Sequence, residues 1–341
     1  MSHANVALFV PHNGCPHQCS FCNQRSITGK LAQPSPQDVR DAARTAKQDL
    51  FDGQNAEIAF FGGSFTAIER GYMVSLLEAA VPFVRDGSVS GIRISTRPDA
   101  IDEEILSLLK GYGVTAIELG AQSMDDRVLA CNARGHTAKQ VEAAARSIRG
   151  MGISLGLQMM TGLYGDTPAG AVKTARRLAA LEPDTVRVYP TIVMRGTELE
   201  EKFYAGAYRP MELEEAVALC AGLLDFFEGQ GIRVIRLGLH STPELERDRV
   251  AGPWHPAFRE LCESRRILQK IMQILGENQI SRGTIEIKVN PKMRSKTAGQ
   301  KKANLLSLAQ RGYDVRLTED PALAQRALTI TALGKDVTAC F

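Results

Sequence analysis

The sequence predicts an α/β protein built on a parallel sheet with helices packed outside it, either doubly wound or barrel-like. Short apolar runs alternate with amphipathic helical patterns along most of the chain, six such β/α units follow one another, and helix start signals fall in phase with the alternation. At 341 residues the chain can bury a large core. Its 44% apolar and 23% charged residues suit a soluble globular protein. No apolar run approaches the ~20 residues that a membrane crossing needs. The amino terminus MSHANVALFV lacks the basic start and long apolar stretch of a signal peptide, so a cytoplasmic location without membrane contact is expected.

Taken in order, the strand-like runs are NVALFV, EIAFFGG, GIRIST, TAIELGA, ISLGLQMM and TVRVYPTIV. Val39, Ala43, Ala46 and Leu50 recur at helical spacing after the first run, as do Ile101, Ile105, Leu108 and Tyr112 after the third. Ser35-Pro36 and Thr167-Pro168 each supply an N-cap followed by proline at the first helical position. Thr137 and Gln140 make a capping-box pattern ahead of Val141, Ala144 and Ile148. Beyond the sixth run the chain reads as helix, loop, helix and a seventh strand. The turn-rich HSTPELERDRVAGPWHP then separates a core, residues 1–240, from an extension, residues 241–341. That extension opens with a helix from about Ala257 to Leu275 and closes in a small β-α-β appendage formed by TIEIKVN, AGQKKANLLSLAQRG and DVRLTED. Gly150, Gly152 and Gly156 follow a helix and lead into a strand, the reverse of a dinucleotide-binding turn, and no P-loop pattern occurs.

Three cysteines, Cys15, Cys19 and Cys22, lie just past the first strand, where active-site loops of β/α folds sit. A reducing compartment and an odd total of seven cysteines weaken a disulfide framework. A structural zinc needs a fourth ligand, which His12, His17 or a distant residue must supply. An iron–sulfur cluster on three thiolates leaves one iron open.

Cys15, Cys19 and Cys22, with aromatic Phe21 before the third, resemble the C-x3-C-x-aromatic-C signature of the radical S-adenosylmethionine (SAM) enzymes. The resemblance implies an open six-unit β/α partial TIM barrel with a small C-terminal α/β extension. It also implies one 4Fe–4S cluster on those three thiolates, with SAM on the open iron. In that superfamily a glycine pair ending the second strand binds the methionine amino group of SAM. Gly62 and Gly63 in FFGGSF hold that place, with Ser64 where common members carry Glu. Glycine suits so close a backbone approach because a Cβ would block it.

Longer stretches resemble the radical-SAM core of the elongator-complex catalytic subunit, the wobble-uridine tRNA-modifying enzyme. They are STRPDAIDEEILSLLKGYGVTAIELGAQSMDDRVL, NARGHT and PDTVRVYPTIVMRGTELEEKFYAGAY, and the likeness runs from about residue 4 to about residue 240. By that resemblance Ser95, Arg97, Gln122, Arg134 and Tyr189 line the SAM or substrate cavity. It also implies reductive cleavage of SAM to a 5′-deoxyadenosyl radical, an electron donor such as a flavodoxin or ferredoxin, and tRNA as substrate. Local readings stand beside these. Arg97-Pro98-Asp99 can end a strand and cap a helix, Gln122-Ser123 can be turn chemistry, and Arg134 to Thr137 can be a loop with an N-cap. Glu118, Met159 and Met160 are weaker candidates, and Met159-Met160, on a buried strand, reads as core rather than cofactor contact. His12, Asn13 and His17 share the cysteine loop.

The chain departs from the elongator enzyme in three respects. Its first two cysteines are closer together, it lacks a basic N-terminal extension, and its last ~60 residues are too few for an acetyltransferase domain with a coenzyme A loop. Acetyl-CoA-dependent carboxymethylation is therefore not implied. Anaerobic coproporphyrinogen oxidases share the core and give the alternative of a small-molecule substrate, but show an aromatic-rich run where this chain has NQRSITGK. Methylthiotransferases need a second cluster, whereas Cys131, Cys220, Cys262 and Cys340 are scattered. A zinc-stapled nucleic-acid-binding protein without catalysis is the rival of another class.

Net charge is +3, and it is unevenly spread. Residues 281–341 hold 11 Lys and Arg against 5 Asp and Glu, while the first 280 hold 30 against 33. Within NPKMRSKTAGQKK, Lys292, Arg294, Lys296, Lys301 and Lys302 precede a helix and suit phosphate contacts to a nucleic acid. No aromatics interleave them, so base stacking is not indicated.

Overall fold

The computed structural model describes residues 4–11, 19–23, 32–49, 56–332 and 335–340. By its internal contacts the chain divides into two compact units, one of residues 1–212 and 227–254, the other of residues 213–226 and 255–341.

In the first unit seven strands form one parallel, curled half-barrel sheet. They are β1 (Ala4–Val10), β2 (Ala56–Gly62), β3 (Gly91–Thr96), β4 (Val114–Gln122), β5 (Ser154–Thr161), β6 (Thr185–Pro190) and, after the short β7 (Val193–Met194), β8 (Arg233–Leu237). Sheet order is β1-β2-β3-β4-β5-β6-β8, so each β/α unit lays its strand beside the previous one, as right-handed crossovers require. Alternation along each strand divides the two faces. Ile92 and Ile94 of β3, Ile117 and Leu119 of β4, and Val186 and Val188 of β6 are fully buried on the helix-covered face. The predicted starts hold. Thr167 accepts from Gly170 N at 3.0 Å ahead of the helix Pro168–Ala179. Thr137 and Gln140 close a complete capping box on the helix Ala138–Gly150. Ser35 caps Pro36–Asp49 through Asp38 N.

On the inner face the sheet carries charge. Arg93 of β3 bonds Glu57 of β2 at 2.7 Å and Glu118 of β4 at 3.3 Å, and Arg187 of β6 bonds Glu118 at 2.7 Å from its Nη2. Glu118 is 3% exposed. Arg187 reaches it across β5, where Gly156 stands. A Cβ there would meet Glu118 Cγ at 2.9 Å and Thr185 Oγ1 at 3.0 Å. The guanidinium of Arg187 also lies over the Phe61 ring, 4.8 Å from its centroid. Desolvation offsets most of the attraction in such a ladder, but removing one member strands a buried charge, so it fixes strand register more than it adds stability.

In the second unit, β10 (Gly283–Val289), β11 (Tyr313–Glu319), β12 (Ala327–Ala332) and β13 (Lys335–Cys340) form a mixed sheet in the order β11-β10-β12-β13, while the two-residue-scale ribbon of β7 with β9 (Arg249–Ala251) belongs to the first unit. The helix Phe258–Glu277 buries Ile267, Ile271, Ile274 and Leu275 with Ile285, Ile287, Leu328 and Ile330 of the sheet. The predicted β-α-β appendage is present in β10, the helix Ala303–Gln310 and β11, and the antiparallel pair β12–β13 enlarges it. Residues 291–302, read from sequence as a connection, fold as short helical turns. No helix among the described residues is long and apolar enough to cross a membrane.

Candidate active site

Strand ends place the predicted site residues. β2 stops at Gly62, whose φ of +112° is open to glycine alone, and a Cβ there would come 3.0 Å from Val10 O. Gly63 N donates to that same carbonyl at 2.9 Å, which clips the end of β2 onto the end of β1. The missing Cβ is what lets the ends of β1 and β2 approach this closely. Ser64 is 1% exposed, and its hydroxyl is committed to Thr96 Oγ1 at 2.8 Å while accepting from Arg97 N at 3.1 Å. Its side chain therefore fastens β2 to β3.

Arg97 likewise turns to its own loop. Its guanidinium grips Asp99 with two bonds of 2.9 and 2.6 Å. Burial pushes the Asp99 carboxyl up, but the Arg97 bonds and charge outweigh it and hold the group below the usual carboxylate range. Ser95 shares a strand face with Arg93, and Tyr189 shares one with Arg187, whose Nη1 reaches its hydroxyl at 3.5 Å. Gln122 ends β4 at φ +64° and accepts from Gln158 at 3.4 Å.

The cysteine loop is described from Cys19 to Asn23; Cys15, with His12, Asn13 and His17, lies outside the described residues. Cys22 N bonds Cys19 O at 3.0 Å to form a turn. Ser20 docks on Asn132 twice, through its backbone N–H at 3.2 Å and its hydroxyl at 2.8 Å. Leu199 N donates to Ser20 O at 2.8 Å, and Asn23 donates to Arg195 O at 2.8 Å. Phe21 packs with Val193, Leu199 and Tyr208. Arg134 donates to Cys19 Sγ at 3.0 Å and to Gly120 O at 2.8 Å. Loops following β4 and β6 thus hold the turn, and both thiols remain partly exposed. Among the described residues no trio of His, Cys, Asp or Glu converges as a metal site. What they present is two thiols, Cys19 and Cys22, on a pinned turn, a donor pair whose chemistry fits an iron–sulfur cluster.

Two residues and a cavity escaped sequence reasoning. Asn132 is fully buried and gives its second side-chain face to Val128 O and Tyr164 O at 2.8 and 2.9 Å. His136 is 5% exposed, with Nε2 against Ala121 O at 3.2 Å. Both stand in NARGHT, where local pattern offers only a loop. Past β5 a cavity of about 310 Å³ is lined by Tyr164, Asp166, Tyr208, Arg209 and Met211. Tyr164 and Tyr208 meet edge to face at 6.2 Å beside Phe21. Burial pushes the Asp166 carboxyl up, and its Oδ2 is buried without a hydrogen-bond partner among the described residues.

Of the five basic residues, all in the second unit, Lys296 pairs with Glu263 at 2.6 Å and Arg294 with Glu319 at 3.3 Å. Lys292, Lys301 and Lys302 are exposed, the latter two at φ +52° and +63°.

A family model described as the Radical SAM superfamily matches residues 9–178, and one described as the Radical SAM C-terminal domain matches residues 183–269. An uncharacterized protein of Methanocaldococcus jannaschii is 27% identical, over 79% of this chain and 84% of its own. A tRNA uridine(34) acetyltransferase of the same organism is 31% identical, over 37% of this chain and 24% of its own. Among solved structures, the archaeal Elp3 of Methanocaldococcus infernus with an N-terminal deletion superposes with a TM-score of 0.63 at 21% identity, over 80% of this chain and 63% of its own. That last likeness is one of fold. The chain spans less than two thirds of both the acetyltransferase and the Elp3 chain.

Proposed function

The chain belongs to the radical SAM superfamily, a family of SAM-dependent enzymes, and on that premise we propose that Cys15, Cys19 and Cys22 hold a 4Fe–4S cluster beside SAM at the strand ends. The observation that carries this reading is the segment from Cys19 to Asn23, pinned by four hydrogen bonds to loops at the C-terminal ends of the strands, where β/α barrels keep their active sites. The chemistry supplied by the bound group is one-electron reductive cleavage of the sulfonium C–S bond of SAM, to methionine and a 5′-deoxyadenosyl radical. In this reading the methionine end of SAM lies against the backbone of Gly62 and Gly63 at the end of β2. Ser64 and Arg97 shape that end of the site from behind, through their bonds to β3 and Asp99. Ser95, Gln122 and Tyr189 supply polar groups on the inner face, above the charged ladder. Packing of Phe21 with Tyr164 and Tyr208 excludes water from one side of the cysteine turn.

Anaerobic reconstitution should give a brown protein containing iron and sulfide that forms 5′-deoxyadenosine with SAM and dithionite. Cys19→Ala should abolish both. Aerobic protein with stoichiometric zinc, no charge-transfer absorption and no 5′-deoxyadenosine would overturn the reading in favour of a zinc-stapled protein.

For substrate we propose tRNA. The support is the relative named for tRNA uridine(34) together with exposed Lys292, Lys301 and Lys302 in a basic segment. A nucleotide acted on by a buried radical has to leave its stack. Comparing modified nucleosides in tRNA from cells with and without the gene tests this directly. An unchanged nucleoside profile sinks it and turns attention to a small-molecule substrate.

A further inference from the structure

Strand β8 breaks a pattern. The charged ladder of the inner face alternates acid and base from Glu57 on β2 to Arg187 on β6, where its charges balance. Register pairs Arg187 with Arg236 of β8 and Val188 with Leu237, so the next position on the inner face holds a second base where alternation calls for an acid. Like charges side by side on neighbouring strands repel. Register alone would be served better by Asp or Glu at that position, so the cation there answers to something other than the sheet.

More donors gather at the same place. Arg236 is half-buried, and its Nε is tied to Gly238 O at 3.0 Å, which holds the guanidinium at the end of its strand. Gly238 N donates to Val188 O at 3.0 Å and docks that end beside Tyr189. His240 follows, an exposed residue on the loop leaving β8. Partial burial first, then the cations Arg236 and Arg187, hold its pKa below the usual imidazole range, and no carboxylate opposes them. Arg187 itself is fixed by Glu118 and lies over Phe61, with Nη1 turned toward the Tyr189 hydroxyl at 3.5 Å. Two guanidinium groups, an imidazole and a phenol thus share one corner of the strand ends, at the end of the sheet that carries the cysteine turn. All of them belong to the first unit.

That mix suits an oxyanion. A guanidinium offers paired N–H donors to two oxygens, an imidazole offers one more, and bonds from cation to anion are the strong ones. A phosphate has oxygens enough for both bases and the phenol at once, whereas a carboxylate has two. We propose that Arg236 and His240, with the Tyr189 hydroxyl, bind a phosphate group of the substrate and so fix how it enters the half-barrel. No bond is made or broken there, and these are positioning residues. This inference rests on the reading that substrate enters over the strand ends beside SAM.

The test uses the full chain, kept anaerobic and labelled with 15N-histidine, as wild type, Arg236→Gln and His240→Gln. Ring resonances are followed by NMR at constant pH and ionic strength during titration with inorganic phosphate, uridine 5′-monophosphate, uridine or acetate. The signal that His240→Gln removes is that of His240. It should shift saturably with phosphate and with the nucleotide but not with uridine, and Arg236→Gln should weaken both by about tenfold or more. Nucleotide affinity is also read by calorimetry, so that His240→Gln, at an exposed position, decides where Arg236→Gln does not fold; it too should bind severalfold more weakly. A His240 signal that phosphate leaves unmoved overturns the proposal. So does one that acetate moves at equal or lower concentration, and so does wild-type affinity in both variants. Phosphate bound at His240 together with an unchanged tRNA nucleoside profile supports this site and removes the tRNA reading alone.

Discussion

At position 136 a histidine is almost wholly buried with its Nε2 facing a carbonyl, which can only accept. The proton therefore sits on Nε2, and Nδ1 is a bare acceptor with no partner among the described residues. Burial first, then the Arg134 cation, drives the imidazole pKa down to about 4, against smaller opposing pulls from Ala121 O and Asp99 and a further push from Arg97. The sign follows from proton counts. Between pH 6.5 and about 4 the unfolded chain binds a proton at this ring that the folded chain refuses, so stability falls as pH falls through that window. The loss from this one group is on the order of 3 kcal/mol. An NMR titration of the ring should show a midpoint near 4, and the urea midpoint of His136→Gln should drop less between pH 7 and 4.5 than that of wild type. A ring midpoint near 6.5 would contradict it. Nothing in NARGHT announces this environment, because burial, the leading cause of the shift, is set by the tertiary fold rather than by neighbours in sequence. The cysteines and the Gly62-Gly63 pair could be singled out in the sequence for the opposite reason, since the readings made of them rest on local spacing and glycine identity.

Among the elements, the strands of the half-barrel were readable as apolar runs because each is buried on its helix side. The caps were readable because capping is a local bond between side chain and nearby backbone. Two features were not. The pair β12–β13 is short, rich in Thr and Ala, and takes its partners from β10 rather than from its own neighbourhood alone. The ladder Glu57–Arg93–Glu118–Arg187 has no sequence spacing at all, since it is defined by sheet order. Gly156 is its hidden requirement. Gly156→Val should push Arg187 away from Glu118 and cost about 1–3 kcal/mol by overpacking alone, read as a lower denaturant midpoint. A midpoint equal to wild type would mean that the ladder tolerates a side chain at β5. Loss of one ladder charge by Glu118→Ala should be worse, about 3–5 kcal/mol, because it strands Arg187, while Arg93 keeps Glu57.

At the scale of the whole chain, charge separates by sequence region, with the surplus of cations confined to the last 61 residues. Lys301→Glu with Lys302→Glu reverses two exposed charges of the second unit. The double variant should bind tRNA more weakly, with a shallower slope of log affinity against log salt, while forming 5′-deoxyadenosine at the wild-type rate. Unchanged, salt-insensitive binding would remove RNA from this surface. The charged ladder has a consequence in time as well as space. Its members leave the ribosome in the order acid, base, acid, base, and the final base lies on the sixth strand. With five strands formed the ladder holds two carboxylates against one guanidinium, and its charges balance only once residue 187 has emerged.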